Sequence, residues 1–316
     1  MSKKVVLVTG INGFAASHLA HKLLEMGEEV HGTVRVRSDL HRIEDIKDKL
    51  HLHLVELTDA HSVFGVIDKV KPDQIYHMAA QSYVKSSWDT PLETYRINVD
   101  GTINVFEACR RMTKVPKVLV TSSSEIYGGL GELTEKTDAK PNTHYGISKY
   151  AQDLIAQMYW NAYKIPTVIT RTCNITGGKR CDVFVDSNFA RQVVEIEKGL
   201  KPPVIKHGNL SSERDFTDIE DVLEGYVGAM NKGRDGEIYI LGSGKTVSIQ
   251  SLLDLMISMS TSKDIKAEVD PERFRPVDVA TSWANSSKAK SELGWEPKIP
   301  FTKSCEELLN YWRKKI

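Results

Sequence analysis

Val5-Val6-Leu7-Val8 is an apolar, largely β-branched run that stops at Thr9-Gly10, and a helical pattern opens three residues later at Gly13. No other feature restricts the fold as strongly. An apolar run without polar alternation reads as a strand covered on both faces, and such strands belong to parallel sheets flanked by helices. The glycines make the turn specific. In Gly10-Ile11-Asn12-Gly13-Phe14-Ala15-Ala16, Gly10 permits a tight turn and Gly13 lets backbone approach a pyrophosphate. The small Ala16 lets helix and strand pack closely, and the helix N-terminus offers N–H groups and partial positive charge to an anion. Gly10, Asn12, Gly13, Phe14 and Ala15 are therefore candidate dinucleotide contacts.

The first half of the chain repeats this rhythm. Helix Gly13–Met26 stops at Gly27, and strand Glu29–Val34 follows. A charged helix is predicted near Leu40–Leu50, a strand at Leu52–Leu57, and a helix capped by Thr58-Asp59 that runs to Val70. Strand Gln74–Met78 precedes one long helix over Pro91–Met112; strand Val118–Ser122, helix His144–Tyr163 and strand Thr167–Thr170 come next. Strands alternating with helices of this length imply a parallel sheet with right-handed crossovers. The fold class is α/β, a doubly wound parallel sheet. After Arg171 the elements shorten, broken at Gly177-Gly178, Lys201-Pro202-Pro203 and Gly208-Asn209. The expected division is a dinucleotide-binding domain over residues 1–172, to which 216–243 return, and a smaller α/β lobe from 173–215 and 244–316.

The end of the second strand bears on the coenzyme. An Asp or Glu there would accept from a ribose 2′-hydroxyl; this chain reads Thr33-Val34-Arg35-Val36-Arg37-Ser38. Two cations and a hydroxyl suit a 2′-phosphate, so NADP is the expected coenzyme, with NAD the alternative. Glu56, next to Leu57 after the third strand, is placed to accept from an adenine amine, and Ala79-Ala80 is small where backbone must pass close to a cofactor.

A Tyr and a Lys four apart, Tyr145 and Lys149, share one helical face. An ammonium beside a phenol favours the phenolate, which suits proton exchange with a sugar hydroxyl as hydride leaves the same carbon. Such pairs are also common on solvated helix faces, so the context decides. About twenty residues upstream, Thr121-Ser122-Ser123-Ser124-Glu125-Ile126-Tyr127 ends a strand at the carboxyl edge, where open α/β sheets hold ligands. Ser123, Glu125, Tyr145 and Lys149 are the catalytic candidates.

Charge excludes other partners. Forty-two basic and 42 acidic residues cancel, leaving no global field for nucleic acid or an anionic membrane. Four scattered cysteines fit free thiols in a reducing compartment. The chain enters a strand directly after Met-Ser-Lys-Lys and holds no apolar run of ~18 residues, so a soluble, cytoplasmic protein is expected. Ten histidines raise the question of a metal, but no His-Glu-x-x-His or Cys/His cluster is present. His51 and His53 alternate on a strand with no acidic partner in register, and no catalytic metal is expected.

Taken together, the Gly-rich turn, Ala79-Ala80-Gln81-Ser82, Ser123-Ser124-Glu125-Ile126-Tyr127-Gly128, Tyr145-Gly-Ile-Ser-Lys149, Arg171-Thr-Cys-Asn174, Arg214-Asp-Phe-Thr and Arg275-Pro resemble the extended short-chain dehydrogenase/reductases, the NAD-dependent epimerase/dehydratase family. Within it the sequence is most similar to GDP-mannose 4,6-dehydratases and GDP-4-keto-6-deoxymannose reductases, nearly end to end. The resemblance implies a nucleotide-sugar 4,6-dehydratase that oxidises C4, eliminates water across C5–C6 and returns hydride to C6. The alternatives are a GDP-4-keto-6-deoxymannose 4-reductase or another nucleotide-sugar 4-dehydrogenase or epimerase. By resemblance Tyr145 is the base, and Lys149 lowers its pKa and binds the nicotinamide ribose. Ser123 stands where the dehydratases carry threonine, and Glu125 matches their second acid/base residue. Asn174, Arg214 and Arg275 match positions that hold the nucleotide diphosphate, Gln81 and Ser82 join them as substrate candidates, and Arg180 matches a loop residue near cofactor and substrate. Lys179, Cys173 and Thr143-His144 depart from the dehydratase pattern. A homodimer or homotetramer, paired through the two long helices, is implied with the nucleotide-sugar partner.

Overall fold

The computed structural model describes residues 3–129, 131–274 and 281–316. Seven parallel strands form the main sheet: β1 Val5–Thr9, β2 Glu29–Val34, β3 His51–Leu54, β4 Gln74–His77, β5 Lys117–Ser123, β6 Thr167–Thr172 and β7 Ile238–Leu241. Their order is β7-β6-β5-β4-β1-β2-β3, so the chain steps outward from β1 in one direction and then in the other. The strand order reverses between β1 and β4, and a doubly wound sheet opens its ligand crevice there.

Side chains alternate between the two covered faces. Val6 and Val8 of β1 join the core under helices Phe14–Glu25 and Ile219–Lys232, while Leu7 joins the core on the opposite face with Val63, Phe106 and Tyr159. Helix Phe14–Glu25 buries Ala16, Leu19, Ala20 and Leu23 at three- and four-residue spacing, which is one helical stripe. A smaller body is built on helix Val185–Glu197, helix Ile249–Ser258 and the closing helix Phe301–Lys315, whose apolar faces meet around Phe189, Val193, Leu252 and Leu308. Its sheet runs Thr246–Ser248, Glu213–Asp218, Thr281–Ala284, Gly131–Leu133.

The two bodies interleave at more places than the boundaries at 172/173, 215/216 and 243/244 describe. Strand β7 pairs with β6 in the main sheet. Gly131–Leu133, from the first body's stretch of sequence, pairs instead with Thr281–Ala284. Leu293 and Trp295, from the second, pack into the core beside Phe14–Glu25.

Several local expectations are corrected. Leu40–Leu50 is not an α-helix; Glu44–Lys49 is a 3-10 turn, because Ile46 N–H bonds Ile43 O and Leu50 N–H bonds Lys47 O. Strand β3 ends at Leu54, since the chain leaves the sheet towards the cap at Asp59, which accepts from His61 N–H. The long helix expected over Pro91–Met112 is broken by a π turn at Arg96–Asp100 and ends at Arg110. Asn98 accounts for the break: its side chain accepts from Gln81 N–H and donates to Gln81 O and Ser148 Oγ, holding that turn inward. A short helix, Val84–Asp89, lies in a stretch with no periodic signal. Among the described residues no helix is long and apolar enough to cross a membrane.

The closing helix is fastened to the floor of the smaller body by Arg313, which donates two hydrogen bonds to Glu197 at 2.8 and 2.9 Å. These bonds, helped by Thr261 N–H, hold the Glu197 carboxyl down at about 2. A carboxyl depressed on folding stabilises above its unfolded value near 4.5, and the contribution is lost as pH falls from there towards 2. Arg313→Met is expected to cost roughly 1–3 kcal/mol at neutral pH in urea unfolding, since the lost bonds are charge-assisted and Glu197 is left buried. The gap to the parent should narrow as pH falls below about 4.5 and close near 2; a gap independent of pH refutes the assignment.

Candidate active site

The glycine turn takes its shape from a contact. Gly10 sits at φ +66, and a Cβ there would lie 3.1 Å from the Ala79 Cα and Cβ. Both small residues are required where β1 and β4 deliver their carboxyl ends side by side. Helix Phe14–Glu25 starts with Gly13 as its N-cap and no side-chain cap, so its first N–H groups face the crevice without a hydroxyl or carboxylate of the protein over them. The backbone of Gly10 donates to Thr33 Oγ1, and Asn12 Nδ2 donates to Asp39 O, which orients the turn against the end of β2.

Arg35 and Arg37, both exposed, share a cleft of about 470 Å³ with Ser38, Glu56 and Ser62. Arg37 stands in the left-handed region at φ 61, and Arg35 N–H bonds Ser38 Oγ, which curls the segment into a compact basic turn. Leu57, by contrast, is buried core against Gly101, and its carbonyl accepts from Asn104.

Across the sheet edge, β5 brings Ser123 and the following turn brings Glu125 beside the start of helix His144–Tyr163. Thr143 caps that helix by accepting from Gly146 N–H, and Ser87 Oγ accepts from Tyr145 N–H. The Tyr145 phenol hydrogen-bonds Ser123 and feels Glu125, Tyr226 and Arg180. Burial is the largest influence and pushes the phenol above its ordinary value; Ser123 and Arg180 pull it down. Lys149, expected by resemblance to lower this phenol, has its ammonium engaged by other groups. Lys149 is 3 % exposed, and its ammonium donates at 2.5 Å to both Thr121 O and Gln152 Oε1.

Lys149 instead heads a buried chain of hydrogen bonds. Gln152 Nε2 donates to Thr102 Oγ1, whose own hydroxyl donates to Asn98 O. Thr102 must therefore accept from His77 Nε2–H, which leaves His77 Nδ1 to accept from Thr9 Oγ1. Thr9 Oγ1 in turn accepts from Met78 and Ala79 N–H. The two threonine hydroxyls and the imidazole are all satisfied with His77 neutral, and burial does hold His77 far below the imidazole range, at about 3. Nothing in the sequence marks His77, Thr102 or Gln152, which lie on three separate elements. Burial also depresses Lys149 to about 8.

A second cleft, of about 380 Å³, opens between the two bodies. Glu125, Asn174, Arg180 and Arg214 line it together, joined by Tyr83, Lys85, Phe184, His207 and Arg273, which carried no sequence signal. Arg214 donates to Glu213 O, and Asn174 Nδ2 reaches Asp215 O. Arg180 is less open to a ligand than expected: its Nε donates to buried Asp186, and its guanidinium lies 4.0 Å over the Phe184 ring. Gln81 is likewise committed, since its amide closes the turn to Tyr83 and donates to Thr94, whereas Ser82 is exposed. Arg275 lies outside the described residues. The loop carrying Arg180 is strapped to the basic turn's flank by a reciprocal pair, Arg42 Nε to Lys179 O and Lys179 Nζ to Arg42 O.

The chain as a whole is similar to sugar-nucleotide enzymes. The profile of a family described as GDP-mannose 4,6 dehydratase matches residues 7–308. The chain is 31% identical over 324 residues to "GDP-mannose 4,6 dehydratase 2" of Arabidopsis thaliana, covering 98% of this chain and 86% of that one. It is 30% identical over 353 residues to "GDP-mannose 4,6-dehydratase" of Vibrio cholerae, covering 98% and 93%. The dTDP-glucose 4,6-dehydratase of Bacillus anthracis, solved in complex with NAD, superposes with a TM-score of 0.85 at 25% identity, covering 98% of this chain and 96% of that one.

The buried chain makes a measurable demand on Lys149. With isotope-labelled lysine incorporated during expression, NMR is expected to show one lysine side-chain amine titrating near pH 8. Gln152→Glu places a carboxylate against that amine and should raise its midpoint by about one unit or more. An unmoved midpoint in that variant, or none below the ordinary lysine range in the parent, sinks the assignment.

Proposed function

We infer, from a chain that belongs to the GDP-mannose 4,6-dehydratase family, that it is a nucleotide-sugar 4,6-dehydratase acting on GDP-mannose with NADP in the cytoplasm. The observation that carries the reading is the convergence of Ser123, Glu125 and Tyr145 at one end of a cleft lined by Asn174 and Arg214. A dehydratase needs a carboxylate beside the Tyr and Ser, and Glu125 can supply it.

The residues present fit a dinucleotide. Gly10 against Ala79 leaves backbone without side chains, the uncapped helix N-terminus suits a pyrophosphate, and Arg35 with Arg37 suits a 2′-phosphate. NADP, when bound, supplies the acceptor that takes hydride from C4 and returns it at C6. The protein's part is proton management and orientation. Tyr145 accepts the C4 hydroxyl proton while Ser123 holds the same oxygen, and Glu125 takes the C5 proton and delivers one to the departing C6 hydroxyl. Arg214 and Asn174 hold the diphosphate, with Ser82 at the rim. Lys149, fixed by Thr121 and Gln152, places its positive charge beneath the helix's first turn, where it orients the nicotinamide ribose.

Incubation with GDP-mannose and no added coenzyme is expected to yield a keto-sugar one water lighter than substrate, read by mass and by keto-sugar absorbance. Stoichiometric consumption of NADPH on a keto-sugar, without loss of water, overturns the reading. Tyr145→Phe should lower kcat by about 10³-fold or more while coenzyme affinity is kept, and Arg35→Ala with Arg37→Ala should weaken NADP but not NAD.

The same reading includes a homodimer. Leu92, Ile147, Leu154, Met158 and Tyr163 are 43 to 73% exposed along Pro91–Tyr95 and His144–Tyr163, more apolar surface on one pair of helices than a monomer usually leaves open. Light scattering should give twice the chain mass, and Leu154→Glu with Met158→Glu should give monomers. A monomeric parent refutes this.

A further inference from the structure

Away from both clefts, the outer edge of the main sheet gathers three imidazoles and a carboxylate. Glu29 and His31 are alternate residues of β2 and so share one face; His51 and His53 do the same on β3. The parallel register sets His31 directly opposite His51. The sequence reading found no acidic partner in register for these histidines, and the pairing corrects that: Glu29, two residues before His31, projects on their face. His31 Nε2 lies 3.1 Å from Glu29 Oε1, and one ligand atom from each of Glu29, His31 and His51 lies within 4.8 Å of the others. The site sits towards the amino ends of β2 and β3, whereas the coenzyme turn and the sugar cleft occupy the carboxyl ends, so catalysis does not explain it.

We propose that Glu29, His31 and His51 form a surface site for one divalent transition-metal ion of the zinc class, with His53 fixing the orientation of His31. Two imidazoles and a carboxylate are the donors such borderline ions take, and the nitrogens disfavour magnesium and calcium. Tetrahedral ligands about 2.0–2.1 Å from zinc lie roughly 3.3 Å apart, so the observed separations need only small side-chain rotations. Water completes the fourth position, since His51 is exposed. His31 has the partner a ligating histidine requires. Its Nδ1 lies 3.0 Å from His53 Nε2, and with the metal on Nε2 the neutral ring carries its proton on Nδ1 and donates it there. The rings are already aligned: His31 stacks on His51 at 4.6 Å and on His53 at 5.3 Å. Among the described residues two cations oppose an ion here: Lys3, whose ammonium is 3.6 Å from the other Glu29 oxygen on a 60% exposed side chain that can swing away, and Lys69, which acts on His53. Bound there, the ion ties β3, the outermost strand, to β2.

The test uses the full chain, without a histidine tag, stripped with a chelator and dialysed. Zinc is titrated in competition with a chromophoric chelator, and cobalt(II) is added separately. The expected result is one zinc per chain at micromolar affinity or tighter, and a visible cobalt spectrum of tetrahedral intensity. His51→Ala, at an exposed position that does not disturb the core, should weaken zinc by tenfold or more and abolish the zinc-induced rise in melting temperature. His53→Phe should weaken it by about 10-fold or more, while His53→Gln, which keeps an acceptor, should retain most of the affinity. Less than one equivalent bound at micromolar free zinc, or equal binding by His51→Ala, overturns the proposal.

Discussion

A buried positive charge organises the heart of this protein. An ammonium inside a folded chain is tolerated only when its donors are met, and each group that meets one must be satisfied in turn. Lys149 therefore draws Gln152 from its own helix, Thr102 from the helix behind the π turn, His77 from β4 and Thr9 from β1 into one connected set. The set ends on Thr9, whose oxygen holds Met78 and Ala79 N–H and so draws Ala79 against Gly10. The phosphate turn and the Tyr145 helix are thus positioned by the same hydrogen bonds. That dependence explains why a small residue at 79 and a polar one at 152 belong to one design.

The second constraint is the seam between the two bodies. The cleft between the bodies takes Glu125 from the turn after β5, Asn174 from beyond β6, and Arg214 from the smaller body's sheet, so neither body contains it alone. Its rigidity comes from chain crossings. Strand β7 and Trp295 anchor later sequence in the first core, while Gly131–Leu133 commits earlier sequence to the second. The buried Asp153–Arg171 pair, with the Tyr127 hydroxyl accepting from the guanidinium, braces helix His144–Tyr163 against β6.

How much was legible depended on whether a signal was local. The strand β1, the glycine turn and helix Phe14–Glu25 are written in adjacent residues whose backbone needs follow from their own chemistry. Ser123, Glu125, Tyr145 and Lys149 were visible for the same reason, as a strand end and one helical turn. Gln81 and Arg180 are harder to judge from sequence, because a polar residue in a motif looks available until its partners, Tyr83 and Thr94 or Asp186, are known. Asn98, which breaks the long helix, looks like an ordinary helical residue until Gln81 and Ser148 arrive from elsewhere.

The sequence by itself determined the doubly wound sheet, the glycine turn at its first strand and the candidates Ser123, Glu125, Tyr145 and Lys149 at one sheet edge, because each rests on periodicity or on the conformational freedom of a few consecutive residues. Only the tertiary structure decided which polar groups are spent and which face a ligand. It also decided that Lys149 is held by Gln152 rather than by the phenol, and that Glu29 meets His31 and His51 on the outer edge. Those outcomes turn on distances between residues remote along the chain, and such distances exist only once the sheet has set its register.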